Sequence, residues 1–410
     1  MADDPTGQLR LRDVLALALM QSPELGAFAW ELRAREARIL QAGQRPNPVV
    51  TALVQDLGGP AGLTGAADPI QTQTTIELSQ VIELGGKRTA RQTLAAASRD
   101  LAAWDYETAR IDVLTRATKA YLDVLASQDA VALAEQTTTV IEQVQQTVGV
   151  RVTAGVVSPI EQTRADVAVA VVRLESVRAR RALDAARLQL AAAWGGNSAR
   201  FQSVLGDLAV RPPLPTLVAL QDRVAQSPEL ARWAAELTQR EAALAVERSK
   251  TVPDVALIGG YRRYSQIDSN AWVVGASVQL PLFDRNRGAI QEARDRFGKV
   301  AEEQRAAQTR VTTSLAEAYR ALSSANDDLS ALSAGVLPGA RSAFEAVSEG
   351  YRLGRFGYLE VLEAQRTLVG AGSQFLRSLA EYHKAATDVE RLIGEPLVAP
   401  ANAPTTPGNE

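Results

Sequence analysis

Glu360 and Glu363 stand three positions apart, a spacing that puts both carboxylates on one face of a helix. They follow Gly354 by six and nine positions, and Glu161 follows Gly155 by the same six. Carboxylates repeated around a symmetry axis crowd and repel one another and so attract cations; on a single helix they do no more than offset the dipole of the first turns. Tyr351, Arg352 and Arg355 flank the same Gly354, where they either pack between helices or stay solvated. Little else could do chemistry. There is one histidine, His383, read here as a packing residue, and no cysteine. That excludes a thiolate nucleophile, a disulfide and a thiolate metal site, and leaves no histidine-based acid–base set. The chain is therefore not expected to be an enzyme, nor to need a cofactor or hold a bound metal. A net charge of −3 argues against a nucleic-acid partner.

The carboxylates must be carried by long helices. Gly85-Gly86 precedes Lys87, and neither Gly nor Pro recurs until Gly149. Some 62 residues of helix would reach roughly 93 Å, far more than a single globular domain uses. A turn at 155–159 sends the chain back through a helix at 159–194. In the second half, helices at 286–350 and 358–393 flank the turn at 354–357, with a break expected at Pro338-Gly339. Abundant alanine and few aromatics suit closely packed helices.

Four segments read as strands, at 49–57, 71–82, 254–264 and 271–280. In the second, Thr72, Thr74, Ile76 and Leu78 alternate with Gln71, Gln73, Thr75, Glu77 and Ser79, an apolar face and a polar one. In the fourth, Trp272, Val274, Ala276, Val278 and Leu280 share a face. Loops are expected at 58–69 and 266–270. A short helix is expected at 9–20, and Asp284 or Asn286 is expected to cap the helix after the fourth strand.

The order is duplicated. Gln21-Ser22-Pro23-Glu24-Leu25 returns 205 positions later as Gln226-Ser227-Pro228-Glu229-Leu230, and the register persists to Pro48 and Pro253. The expected organisation is a first repeat at 1–210, a second at 211–395 opened by the linker Arg211-Pro212-Pro213-Leu214-Pro215, and a disordered tail at 396–410.

Each repeat supplies two strands. Four strands with an apolar outer face cannot close a barrel, and open edges cannot sit in lipid. Three copies would supply twelve strands, enough for a passage lined by the polar faces. Trp272, on an apolar strand face, is the candidate anchor at the membrane interface. The chain begins Met1-Ala2-Asp3-Asp4-Pro5 without an apolar run behind a basic flank. That start fits either a cytoplasmic protein or the mature form of an exported one.

The order of elements resembles the outer-membrane efflux (TolC-type) family of trimeric channel-tunnels. The tip from Tyr351 to Ala364, with Leu353-Gly354-Arg355-Phe356-Gly357 at its centre, is similar to that family's turn between long helices. The strand exits, Ile82 to Arg88 and Pro281 to Gly288, resemble its cobalt–zinc–cadmium branch. The resemblance implies a mainly α protein with a small β-barrel: a twelve-stranded trimeric outer-membrane barrel continued by a periplasmic helical tunnel. It further implies a mature chain lacking its signal peptide, in the outer membrane of a Gram-negative bacterium. The role would be a passive exit duct for divalent heavy-metal cations. A periplasmic adaptor and a proton-driven inner-membrane pump of the resistance-nodulation-division type would deliver them. Drugs or other small organic molecules are the alternative cargo. Transferred by position, the gate residues are Tyr351, Arg355, Glu360, Glu363 and Glu161; Phe356 occupies the family's arginine position. A coiled-coil scaffold would explain the rods but not the matched strand pairs, and an adaptor would need compact β-domains.

Overall fold

The structure, a computed structural model, describes residues 5–56, 72–265 and 268–397. In chain order the elements are β1 (Gly7–Arg10), α1 (Leu11–Gln21), α2 (Pro23–Ala42), β2 (Val49–Gln55), β3 (Gln73–Ile82), α3 (Lys87–Thr153) and α4 (Pro159–Ala192). There follow β4 (Phe201–Leu205), α5 (Leu217–Val224), α6 (Pro228–Ser249), β5 (Val255–Tyr264) and β6 (Ser269–Val278). The last are α7 (Arg287–Ala331), a π-helical stretch (Leu332–Val336), α8 (Leu337–Arg352) and α9 (Tyr358–Ile393). Among the described residues no helix is long and apolar enough to cross a membrane.

Two compact units emerge, each built from parts of both halves of the sequence: 1–28, 106–230 and 307–410 form one, 29–105 and 231–306 the other. The first is helical around a core that includes Val14, Val113, Leu190, Leu220, Leu315, Leu322 and Val389. It also holds a parallel pair absent from the sequence expectations, β1 against β4, with Leu9 opposite Val204. Gln128 of α3 secures that pair: Val204 N–H donates to its Oε1 at 2.9 Å, and its Nε2 donates to Val204 O at 3.0 Å. Because residues 7–10 are spent on this pair, the first helix starts at Leu11 and not at Leu9.

The repeated pentapeptide has a packing role in this unit. The return helices α4 and α9 are followed by Gly195 (φ +85°) and Gly394 (φ +76°). A Cβ on Gly195 would lie 2.9 Å from Pro23 Cδ, and one on Gly394 would lie 2.6 Å from Pro228 Cδ. In both halves the proline that opens the QSPEL helix thus rests on the glycine that closes the return helix. Ser22 caps α2, its Oγ accepting from Leu25 N–H at 3.5 Å.

The second unit holds an antiparallel sheet of order β2-β3-β5-β6. The register aligns Val50 with Leu78, Ile76 with Tyr261, and Tyr261 with Trp272, so the alternation expected for the strands places one apolar face across the sheet. That face is exposed: Ile76, Leu78, Trp272 and Val274 all lie open on it. On the opposite face Thr75 is buried and accepts from Arg262 Nε–H at 3.0 Å. At the strand exits Asp254 Oδ1 accepts from Leu84 N–H at 3.1 Å and pairs with Lys87 Nζ at 2.6 Å.

Several expectations need correction. The loop expected at 266–270 is shorter, since β6 begins at Ser269, where the ladder to Tyr264 already pays for extended backbone. The helix is not broken at Pro338-Gly339. The irregularity is the π turn at Leu332–Val336, which includes Ala334, whose carbonyl lacks the helical donor that Pro338 cannot supply. Asn286 does not cap α7 through its side chain, which donates to Glu247 instead. The expected loop at 58–69, the strand ends at 57 and 71, and the tail from 398 lie outside the described residues.

The proline–glycine contacts predict a ranking. Gly155 also has positive φ (+71°), but nothing lies near its missing Cβ. Gly155→Ala should cost about 1–2 kcal/mol for the backbone alone. Gly195→Ala and Gly394→Ala should each lose a further 1–3 kcal/mol, roughly, from overpacking on proline. Thermal unfolding in detergent checks this; equal losses at all three sites would contradict it.

Candidate functional site

The tip of the helical unit is formed by two similar turns. In each, a glycine with positive φ ends the descending helix, and the next residue's N–H reaches back five positions: Val156 to Arg151 O at 2.9 Å, Arg355 to Gly350 O at 2.7 Å. Each turn then launches a helix, with Pro159 in the first turn of α4 behind Ser158, and with Gly357 before α9.

A small core sits directly behind these turns, made of Val148, Ala165, Tyr351, Tyr358 and Val361. Tyr351 is its centre and is 2% exposed. Its hydroxyl donates to Glu161 Oε2 at 3.3 Å. The Arg151 guanidinium lies 4.4 Å from its ring centroid and also donates to Tyr351 O. The Tyr358 ring is 6.1 Å away, tilted at 56°. One side chain from α8 is therefore held by α3, α4 and α9 together. A cation over a desolvated ring contributes about 0.5–2 kcal/mol, and a hydrogen bond to a carboxylate as long as this one about 1 kcal/mol.

Burial raises both phenols. For Tyr351 the Glu161 carboxylate adds to burial; Tyr358 is pushed up to about 12. Both are therefore neutral donors at physiological pH. Their stabilising effect is complete below the ordinary tyrosine value of about 10 and is lost as pH climbs through the raised values.

The five gate candidates divide. Tyr351 and Glu161 meet in this core. Arg355, Glu360 and Glu363 are exposed outside it, without an ion-pair partner among the described residues. Arg352 pairs with Glu349 at 3.1 Å. The cation on Tyr351 is Arg151, which the sequence reading missed. One signal was available: it is the basic residue in the last turn of α3. Phe356 packs on Gly350 and leaves no room there for a Cβ. His383 is a packing residue, its Nε2 lying 2.9 Å from Leu208 O.

In the sheet unit, Trp272 is 83% exposed on the apolar face and meets Tyr261 edge-on at 5.7 Å. Indole and phenol adjoin on one open apolar surface, the chemistry of a water–hydrocarbon boundary.

Long helices ending in similar glycine turns, and a four-stranded sheet with one exposed apolar face, are the features on which the chain compares with membrane channels. The outer membrane efflux protein family model matches residues 14–196 and 219–395. The cobalt-zinc-cadmium resistance protein CzcC of Cupriavidus metallidurans is 35% identical over 95% of this chain and 91% of its own length. The nickel-cobalt-cadmium resistance protein NccC of Alcaligenes xylosoxydans xylosoxydans is 28% identical over 80% of this chain and 71% of its own. The crystal structure of the outer membrane protein VceC from Vibrio cholerae superposes with a TM-score of 0.77 at 16% identity, covering 95% of this chain and 97% of that one. The chain belongs to the outer membrane efflux protein family.

The tip geometry predicts unequal effects in planar-bilayer recordings. Arg151→Gln removes both contacts to Tyr351 and should raise single-channel conductance more than Tyr351→Phe, which loses one long hydrogen bond. Glu360→Gln with Glu363→Gln should leave conductance nearly unchanged and weaken cation preference. An equal rise for Arg151→Gln and Tyr351→Phe, or unaltered selectivity in the double variant, would contradict this assignment.

Proposed function

We propose that this protein is the outer-membrane exit duct of a tripartite efflux system for divalent heavy-metal cations, with cobalt, zinc and cadmium foremost. The observation that carries the cargo class is the 35% identity to CzcC, spread over nearly all of both chains. In this reading three copies pair β2 of one with β6 of the next, and twelve strands close around the axis. The apolar face carrying Ile76, Leu78 and Val274 turns to lipid, Trp272 and Tyr261 mark an interface, and Thr75 and Arg262 face the passage. The helical part lies in the periplasm, where an adaptor and a proton-driven inner-membrane pump of the resistance-nodulation-division type deliver the cargo.

The tip is the gate. Tyr351, clasped by Arg151 and Glu161, holds the two hairpins of one chain together. Exposed Glu360 and Glu363, repeated by three-fold symmetry, set a negative potential at the entrance, and Arg355 borders it. Such a ring favours cations without binding them tightly, because conducted ions must leave again. No enzymatic step is assigned to the chain; the energy comes from the pump.

Deleting the gene should lower tolerance to zinc, cobalt and cadmium, and a plasmid copy should restore it. Growth inhibition across graded metal concentrations is the measurement. Unchanged metal tolerance with lost tolerance to organic compounds would overturn the cargo assignment and leave the duct in place.

A further inference from the structure

The segment after β6 carries an arrangement that the duct reading does not use. β6 ends at Val278. From Trp272 to Val278 is about 20 Å along a strand, which at the usual barrel tilt gives about 15 Å of height. An outer-membrane barrel presents an apolar band about 25 Å tall, so the strand alone leaves about 10 Å uncovered. The following residues are apolar and open: Leu280 66%, Leu282 64% and Phe283 99% exposed. Leu280 and Leu282 lie past the strand's end in a tight turn at Pro281, where Leu282 N–H folds back to Leu280 O at 2.9 Å.

Two cations come next. Arg285 and Arg287 are exposed and make no hydrogen bond or ion pair among the described residues. The corresponding exit of the first half differs: Lys87 is paired with Asp254, and Arg88 donates to Gly43 O at 2.6 Å. The turn holding the free arginines is fixed. Asn286 has φ +55°, its N–H donates to Asp284 Oδ1 at 2.9 Å, and its Nδ2 donates to Glu247 O at 2.8 Å and Oε2 at 2.9 Å. The neighbouring carboxylates of Asp284 and Glu247 are thus engaged with Asn286.

We propose that Leu280–Arg287 is a phospholipid anchor. Leu280, Leu282 and Phe283 enter the acyl region of the leaflet on the side where α7 leaves the sheet. Arg285 and Arg287, on a preset turn, bind the anionic phosphates of its headgroups. This inference rests on the barrel reading above. Apolar side chains followed within two to four residues by unpaired arginines match a phospholipid, whose hydrocarbon and phosphate adjoin in that order.

The absence of cysteine makes the test clean. Single cysteines at Phe283, Leu282, Val274 and Val156 take a nitroxide label, and the intact protein is reconstituted into vesicles of phosphatidylethanolamine and phosphatidylglycerol. Collisions with oxygen and with a water-soluble nickel complex are then compared. Labels at 283 and 282 should resemble 274, with an oxygen-to-nickel ratio several-fold above that at 156. The variant Arg285→Gln with Arg287→Gln should retain less phosphatidylglycerol in native mass spectra, by about five-fold per arginine. Labels at 282 and 283 open to nickel while 274 remains oxygen-rich would overturn the anchor and spare the barrel. Labels closed to both reagents would place the segment against another protein surface and also overturn it. Wild-type lipid retention in the double variant would overturn the headgroup contact. Nickel access at 274 as well would refute the barrel reading itself.

Discussion

Among the described residues the sheet of β2, β3, β5 and β6 has two unpaired edges and an exposed apolar face, and the proposed assembly answers to that condition. Backbone groups on an open edge need water or another strand. An apolar face needs cover or lipid. In hydrocarbon only a closed ladder meets both demands, and four strands are too few to close one. In the proposed duct, further copies of the chain supply the remainder. Gene duplication gave each chain its two strand pairs, which halves the number of copies that closure requires.

The duplication is also what holds the helical unit to its plan. Pro23 against Gly195 and Pro228 against Gly394 are one contact made twice. The glycines are 199 positions apart and the prolines 205, so the second half has shed six residues between them while keeping the contact. The surviving feature is the join between the start and the end of each repeat, not chain length. The π turn at Leu332–Val336 is confined to the second half and has no counterpart in α3, so the helices diverged where the joins did not.

Most of the fold was legible because its signals are periodic or punctuated. Alternation found β3 and β6, and glycine pairs marked the ends of α3, α4, α8 and α9 to within a few residues. The pair β1–β4 escaped because four- and five-residue strands leave too short a pattern, and its partners lie nearly two hundred positions apart. Pro338 signalled an irregularity, and the structure places it a few residues earlier, in the π turn that includes Ala334, four positions before Pro338. At the tip, the family resemblance named Tyr351 and Glu161 separately, and the structure brings them into contact. Arg151 went unnamed because no motif marks its contact with Tyr351; its place as the basic residue in the last turn of α3 was the one available signal. Arg355 was selected by proximity to Gly354, yet its backbone, not its guanidinium, closes the turn. Helix-face spacing placed Glu360 and Glu363 together; it gave no measure of their exposure, which leaves both carboxylates open to cations in solution.

The proposed duct depends on closure by three copies. Native mass spectrometry of the particle extracted in mild detergent measures that directly. Three chains of 43.8 kDa each should form one species, resistant to dilution, with no smaller species at equilibrium. A stable particle of one or two chains would contradict the twelve-stranded barrel, and with it the passage, the lipid-facing sheet and the symmetric ring of carboxylates at the tip.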